Sequence, residues 1–271
     1  MNGKVERVVV ALDAISEHRT AIDTAARLAQ RWKTRLHGVF VEDDDLIRLA
    51  HLPFARQVTL GVGVEALDLR QAERQMRVYA ARARRELAAS AARHGVEWSF
   101  ETVRDGETGG AVASMAGDFL VAGTTTRPVG GHFRVEGRWW AVREPGPAVL
   151  LLAQREHGPR GVIAVLLHDR DPASERLLAV AARLAEAHEG RLVVLCAAEL
   201  AATAGFKDWF DNCLVQYQVT AELDLASLEP APLVRRIVEM ECRLVALGAQ
   251  AQPERLRELV AQLACDVLVV R

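Results

Sequence analysis

The sequence lacks most of the signatures that announce an activity. It has no Walker A motif, no GxSxG elbow and no HExxH, and its glycines fit no GxGxxG between a strand and a helix. An enzyme is therefore not expected. An excess of one charge is also missing: 34 Lys+Arg stand against 36 Asp+Glu, for a net charge of -2. That balance gives no electrostatic reason to expect nucleic acid. No apolar run reaches membrane-spanning length, so no membrane association is expected. The opening MNGKVERVVV carries no signal-peptide core, which points to a cytoplasmic protein. Cysteine is scarce. Cys196, Cys213, Cys242 and Cys265 all lie in the second half, well separated and without CxxC spacing, so buried reduced thiols are expected. The acidic run at residues 42–45 could hold a metal, but three aspartates at the start of a turn more often make a solvated helix cap. No metal is expected.

What is present is an ordinary globular balance, 271 residues with 50% hydrophobic and 26% charged, enough for one large domain or two smaller ones. The chain also repeats itself. Residues 7–41, RVVVALDAISEHRTAIDTAARLAQRWKTRLHGVFV, align without a gap on residues 163–197, IAVLLHDRDPASERLLAVAARLAEAHEGRLVVLCA, with 9 of 35 positions identical. Asp13 falls on Asp169, the AARLA of residues 25–29 on that of 181–185, and Arg35-Leu36 on Arg191-Leu192. A match in register with both flanking apolar runs is the mark of an internal duplication.

The order of elements follows from periodicity. Residues 8–12 form a short apolar run suited to a strand buried on both faces. Ser16 is a candidate N-cap for a helix that buries Ile22, Ala25, Ala29 and Trp32. A second strand covers 36–41, and the βαβ pattern makes the pair parallel. From 65 to 94 a long helix keeps Leu69, Ala72, Met76, Tyr79, Ala83, Leu87 and Ala91 at helical spacing, and Gly95 ends it. It is longer than one sheet needs. Its arginines, diluted by Glu65, Glu73 and Glu86, are read as a solvated face. Strands follow at 96–103, 119–122 and 147–152, with a short helix at 111–116. Trp139 and Trp140 are expected to pack against a partner half. QREHGPRG at 154–161 is the boundary between domains at 1–155 and 160–271. The second half repeats the pattern with the long helix lost or cut to a turn or two. Its third strand is placed at 217–225, its fourth at 244–247 and its last at DVLVV. Short apolar strands alternating with helices mean a doubly wound α/β architecture, whose ligands bind at the carboxyl ends of the strands.

On VVVALDAISEHRTAI, VFVEDDDLIRLAHLPF, FLVAGTT and RLVALGAQ…ACDVLVVR, taken in this order and repeated, the chain resembles the universal stress protein family in its tandem-domain form over nearly its whole length. The resemblance implies an α/β fold of two tandem doubly wound five-stranded parallel sheets, strand order 3-2-1-4-5, adenine-nucleotide alpha-hydrolase-like. It also implies a dimer-like pairing of the two halves through their fifth strands, inside one chain. Nucleotide-binding members use an aspartate after the first strand, backbone at the end of the second, and a Gly-x2-Gly-x9-Gly-Ser/Thr loop after the fourth. Carried onto this chain, those places are Asp13, Val39, Val41, Gly123, Thr124, Gly130 and Gly131. The loop departs from the pattern, because Thr126 stands where the second glycine belongs and no Gly-Ser pair follows. In the second half, Asp169 and Gly248 run straight into AQAQPERLRE, with no phosphate loop. The serine-rich pyrophosphatase loop of related ATP-using enzymes is absent. Asp13 and Asp169 could equally cap the following helices, and for Asp169 this is the favoured reading. Ser16, Glu17, His18, His37 and His168 are read as structural. The expectation is a non-enzymatic regulatory or interaction protein with a degenerate nucleotide site and an unidentified protein partner. The alternative is an ATP- or AMP-binding switch that uses the first half only. The exposed long helix leaves room for a homodimer.

Overall fold

The computed structural model describes residues 5–13, 19–42, 56–59, 63–66, 69–104, 118–123, 149–153, 161–248, 262–263 and 265–270. In chain order the first half supplies β1 (Arg7–Leu12), α1 (Arg19–Trp32), β2 (Arg35–Glu42), β3 (Arg56–Thr59), β4 (Gly63–Ala66), α2 (Leu69–His94), β5 (Trp98–Arg104), β6 (Asp118–Gly123) and β7 (Val149–Ala153). The second supplies β8 (Val162–Leu167), α3 (Pro172–His188), β9 (Arg191–Cys196), α4 (Ala198–Ala201), α5 (Phe206–Tyr217), β10 (Ala221–Leu225), α6 (Pro230–Glu239), β11 (Cys242–Gly248) and β12 (Asp266–Val270).

The expectation of two tandem five-stranded parallel sheets is overturned. There is one ten-stranded sheet, in the order β10-β9-β8-β11-β12-β7-β6-β1-β2-β5, and a separate antiparallel pair β3-β4. The sheet is mixed, because β12 pairs with β7 antiparallel while every other neighbour is parallel. The physical reason is burial. DVLVV is buried along its whole length, and a fully buried strand cannot leave its second edge of N–H and C=O groups unpaired. The antiparallel junction has a geometric consequence: the carboxyl edges of the two halves lie on opposite rims of the sheet.

Two cores sandwich the sheet. Val8, Val10, Leu12 and Phe40 share one side with Ala25 of α1, Leu87 of α2, Leu184 of α3 and Phe210 of α5. Val9, Ala11, Val39 and Leu120 share the other with Leu233 and Ile237 of α6. The alternation along β1 is the pleat at work. Trp32 closes the end of α1 edge-on against Phe119, with ring centroids 4.9 Å apart. Across the middle of the sheet, Arg31 of α1 reaches Glu189 after α3 at 3.4 Å. Arg243 at the start of β11 is only 5% exposed. Burial lowers its pKa, as does the nearby Arg27, and Asp266 partly offsets both.

Three local readings change. Tyr79 was placed on the buried stripe of α2, yet it is 40% exposed; the stripe runs through Met76, Ala83, Leu87 and Ala91. Tyr217 ends a helix rather than opening a strand, and β10 starts at Ala221. The second half also keeps more helix than expected there. α5 has 12 residues and buries Phe206, Phe210 and Cys213, a 4-3 spacing that fixes one face to the sheet.

All four cysteines are free. Burial pushes the Cys242 thiol up to about 12, with Arg191 and Arg236 pulling weakly the other way. The same cause raises Cys196 and Cys213. The thiolate is the reactive form, so at pH 8 Cys242 stays in its unreactive thiol form. Native protein is therefore expected to leave these thiols unlabelled by a disulfide reagent over minutes, with all four reacting once guanidinium unfolds it. Rapid labelling of Cys242 in the native state would contradict this.

Candidate functional site

The first-half site is built by the ends of β1, β2 and β6. β1 has β2 on one side and β6 on the other, and the chain leaves it in one direction and returns on the other. That is the switch point at which an open α/β sheet forms a crevice. Leu12 pairs with Phe40, and Ala11 pairs with Ala122. Asp13 and Gly123 thus stand one step beyond the last paired residues on either side of the opening. Val41 pairs with Val103 on β5, but β1 has ended at its other flank, so its backbone opens toward Asp13. Val39 differs. It is fully buried and sits between Ala11 and Glu101 in the ladder, which makes it core. The structure therefore brings together Asp13, Val41 and Gly123 and places Val39 beneath them. Thr124, Gly130 and Gly131 lie outside the described residues, as do Ser16, Glu17, His18, Trp139 and Trp140.

The second-half edge is arranged for local contacts. Asp169 is exposed, and its Oδ1 accepts the N–H of Arg170 at 2.7 Å. The favoured reading of Asp169 as the helix cap does not hold. Asp171 is the N-cap of α3 and accepts the Ser174 N–H at 2.7 Å. The helix starts two residues later because Pro172 at its first position needs a cap directly before it. Arg170 reaches across the edge and donates to the Ala204 carbonyl at 2.9 Å. The next residue, Gly205, has φ +75, and a Cβ there would come within 3.5 Å of the Arg170 guanidinium. The arginine strap and this left-handed glycine fold the α4–α5 connection over the ends of β8 and β9.

One polar cluster is not legible from local sequence. His37 is 9% exposed. Its Nδ1 is 2.7 Å from Ser99 Oγ and its Nε2 is 3.1 Å from Glu101 Oε1. The register sets His37 directly opposite Ser99, with Glu101 two residues on. A buried imidazole with both nitrogens satisfied ties the edge strand β5 to β2. The only sequence signal is that Ser99 and Glu101 alternate in VEWSFETV. Among the described residues no group of three or more His, Cys, Asp or Glu could hold a metal ion, and no helix is long and apolar enough to cross a membrane.

No protein-family model matches the sequence, and no curated protein matches it. Solved structures do match. A universal stress protein from Archaeoglobus fulgidus DSM 4304 superposes with a TM-score of 0.67 at 12% identity, over 97% of this chain and 96% of that one. A functionally unknown protein from Pseudomonas aeruginosa PAO1 gives a TM-score of 0.56 at 14% identity, over 98% and 92%. These likenesses extend along nearly the whole of each chain. At such identities they establish the fold.

Proposed function

We propose that this chain is a non-enzymatic regulatory or interaction protein of the universal stress protein type, acting in the stress response, whose nucleotide site is degenerate. The observation that carries the reading is the second-half edge, where Asp169, Arg170 and Asp171 serve the chain's own backbone. The fold shared with a universal stress protein supports it, as does a first-half loop sequence that departs from the glycine pattern. Four free thiols suit a reducing cytoplasm. The division into domains 1–155 and 160–271 belongs to the same reading.

A second reading keeps a specific observation in its favour. Asp13, Val41 and Gly123 still meet at the switch point, so ATP or AMP would bind there, in the first half alone. A ligand at 100 times its Kd adds about 2.7 kcal/mol to stability, a shift that thermal unfolding resolves. With ATP, ADP and AMP each at millimolar concentration, no change in midpoint is expected. A saturable rise that Asp13→Ala abolishes and Asp169→Ala leaves intact would replace the first reading with the second.

A further inference from the structure

We propose that two copies of this chain associate through the face of the sheet that carries α1, α2, α3 and α5, the arginine face of α2 in each copy covering α5 and β10 of the other. This does not depend on whether the first-half edge holds a nucleotide.

The two ends of that face are unequally covered. At the β5 end lies α2, with 26 residues and so about 39 Å long. The strands beneath it have 8 and 7 residues, spanning about 25 Å. The helix therefore overhangs. At 100° per residue, Arg74, Val78 and Arg85 stand opposite its buried line of Met76, Ala83 and Leu87, with Arg77 and Arg84 beside them. All four arginines are exposed. Arg82 and Arg93 of the same helix have acidic partners in Glu86 and Asp23. Among the described residues Arg74, Arg77, Arg84 and Arg85 have none. Val78, in their midst, is 63% exposed.

The β10 end has the opposite character. α5 turns Phe206, Phe210 and Cys213 inward. Its outward face carries Asp208, Asp211 and Val215, the last 77% exposed. Neither aspartate has a basic partner among the described residues. α5 does not extend over the edge strand. Leu223 and Leu225 pair with Val194 and Cys196, which places them on the side that α3 and α5 cover, yet they are 41% and 55% exposed. One end thus offers an overhanging helix with a valine flanked by Arg74 and Arg85, which have no acidic partner among the described residues. The other offers a valine flanked by unpaired aspartates beside two uncovered leucines.

The whole chain repeats this contrast. Residues 1–155 hold 22 basic and 19 acidic side chains, and residues 156–271 hold 12 and 17, so the halves carry +3 and -5. Within one chain the two ends cannot meet, because β5 and β10 are the opposite edges of the sheet. A two-fold axis parallel to the strands and lying just outside the layer of α1, α2, α3 and α5 brings each α2 over the other copy's α5 in a single operation. The contact is then isologous and closed. A second copy is the occupant that supplies both complements at once.

Sedimentation velocity on the full chain is the test. At low salt a species of twice 29.7 kDa is expected at micromolar concentration, and it should dissociate as salt rises. Arg74→Glu with Arg85→Glu, and separately Asp208→Arg with Asp211→Arg, should each raise the dimer Kd at least tenfold, with circular dichroism confirming that both variants fold. Mixing the two variants is decisive. Each would then meet its complement on both contacts, so a heterodimer of near wild-type affinity is expected. A wild-type monomer at 100 μM in low salt overturns the proposal. So does a dimer indifferent to both variants, or a mixture that fails to associate.

Discussion

Replacing Phe40 with alanine lowers the unfolding free energy by about 3–5 kcal/mol. Phe40 is fully buried and lies in the core that α1 and α2 share with the sheet. Two terms add: the lost transfer of an aromatic side chain out of water, and the cavity left behind. The cavity term is large here because the backbone cannot move in to fill it. β2 is held on both flanks, with Phe40 pairing to Leu12 on one side and Thr102 on the other. Urea unfolding followed by circular dichroism measures the loss. Val238, 62% exposed on α6, is the matched surface control, and Val238→Ala should stay within about 0.5 kcal/mol of wild type. A loss below about 1 kcal/mol for Phe40→Ala would mean that α2 does not press this face as described.

The second large effect concerns Gly38 and Leu87. A glycine inside a strand marks a close approach. A Cβ at Gly38 would stand 2.5 Å from Leu87 Cδ2 and 3.1 Å from Phe100 Cδ2. Leu87 is itself fully buried, so it can yield only by leaving its rotamer or by lifting α2. Gly38→Ala is therefore expected to cost about 1–3 kcal/mol through overpacking. The lower chain entropy of alanine offsets less than about 1 kcal/mol of that. Leu87→Ala alone opens a hole and costs about 2–5 kcal/mol. In the double variant the new methyl occupies part of that hole. Its cost should fall short of the sum of the single costs by more than about 1 kcal/mol. Strict additivity would show that α2 is not seated on Gly38.

Different parts of this structure left different traces in the sequence. Continuous apolar runs such as VVVAL at 8–12 and IAVLL at 163–167 announce strands buried on both faces, because nothing in them faces water. The AARLA repeat announces a helix with a small-residue face, and Asp13 falls where a strand end should be. Pairing beyond the nearest crossover leaves no such trace. DVLVV shows that β12 needs a neighbour on each edge, but nothing local states that the second is β7 or that it runs antiparallel. The approach of Gly38 to Leu87 and the joining of His37 to Ser99 and Glu101 likewise depend on register between segments some fifty or more residues apart. In α5, Phe206, Phe210 and Cys213 carried the helical spacing openly, yet comparison with the longer first-half helix hid it. At the site, the position of Asp13 was legible. The demotion of Val39 to core was not, since a ladder on both sides shows only in three dimensions.

The opposed rims, the strapped second edge and the docking face all depend on both halves of the chain folding as one ten-stranded sheet joined through β7 and β12. Hydrogen exchange read by mass spectrometry tests this most directly. In native protein the amides of Val149–Ala153 and Asp266–Val270 should exchange as slowly as those of β1 and β8, and all four strands should lose protection together as urea rises. Rapid exchange at β7 and β12 while β1 and β8 stay protected would mean two separate sheets, and would contradict the account.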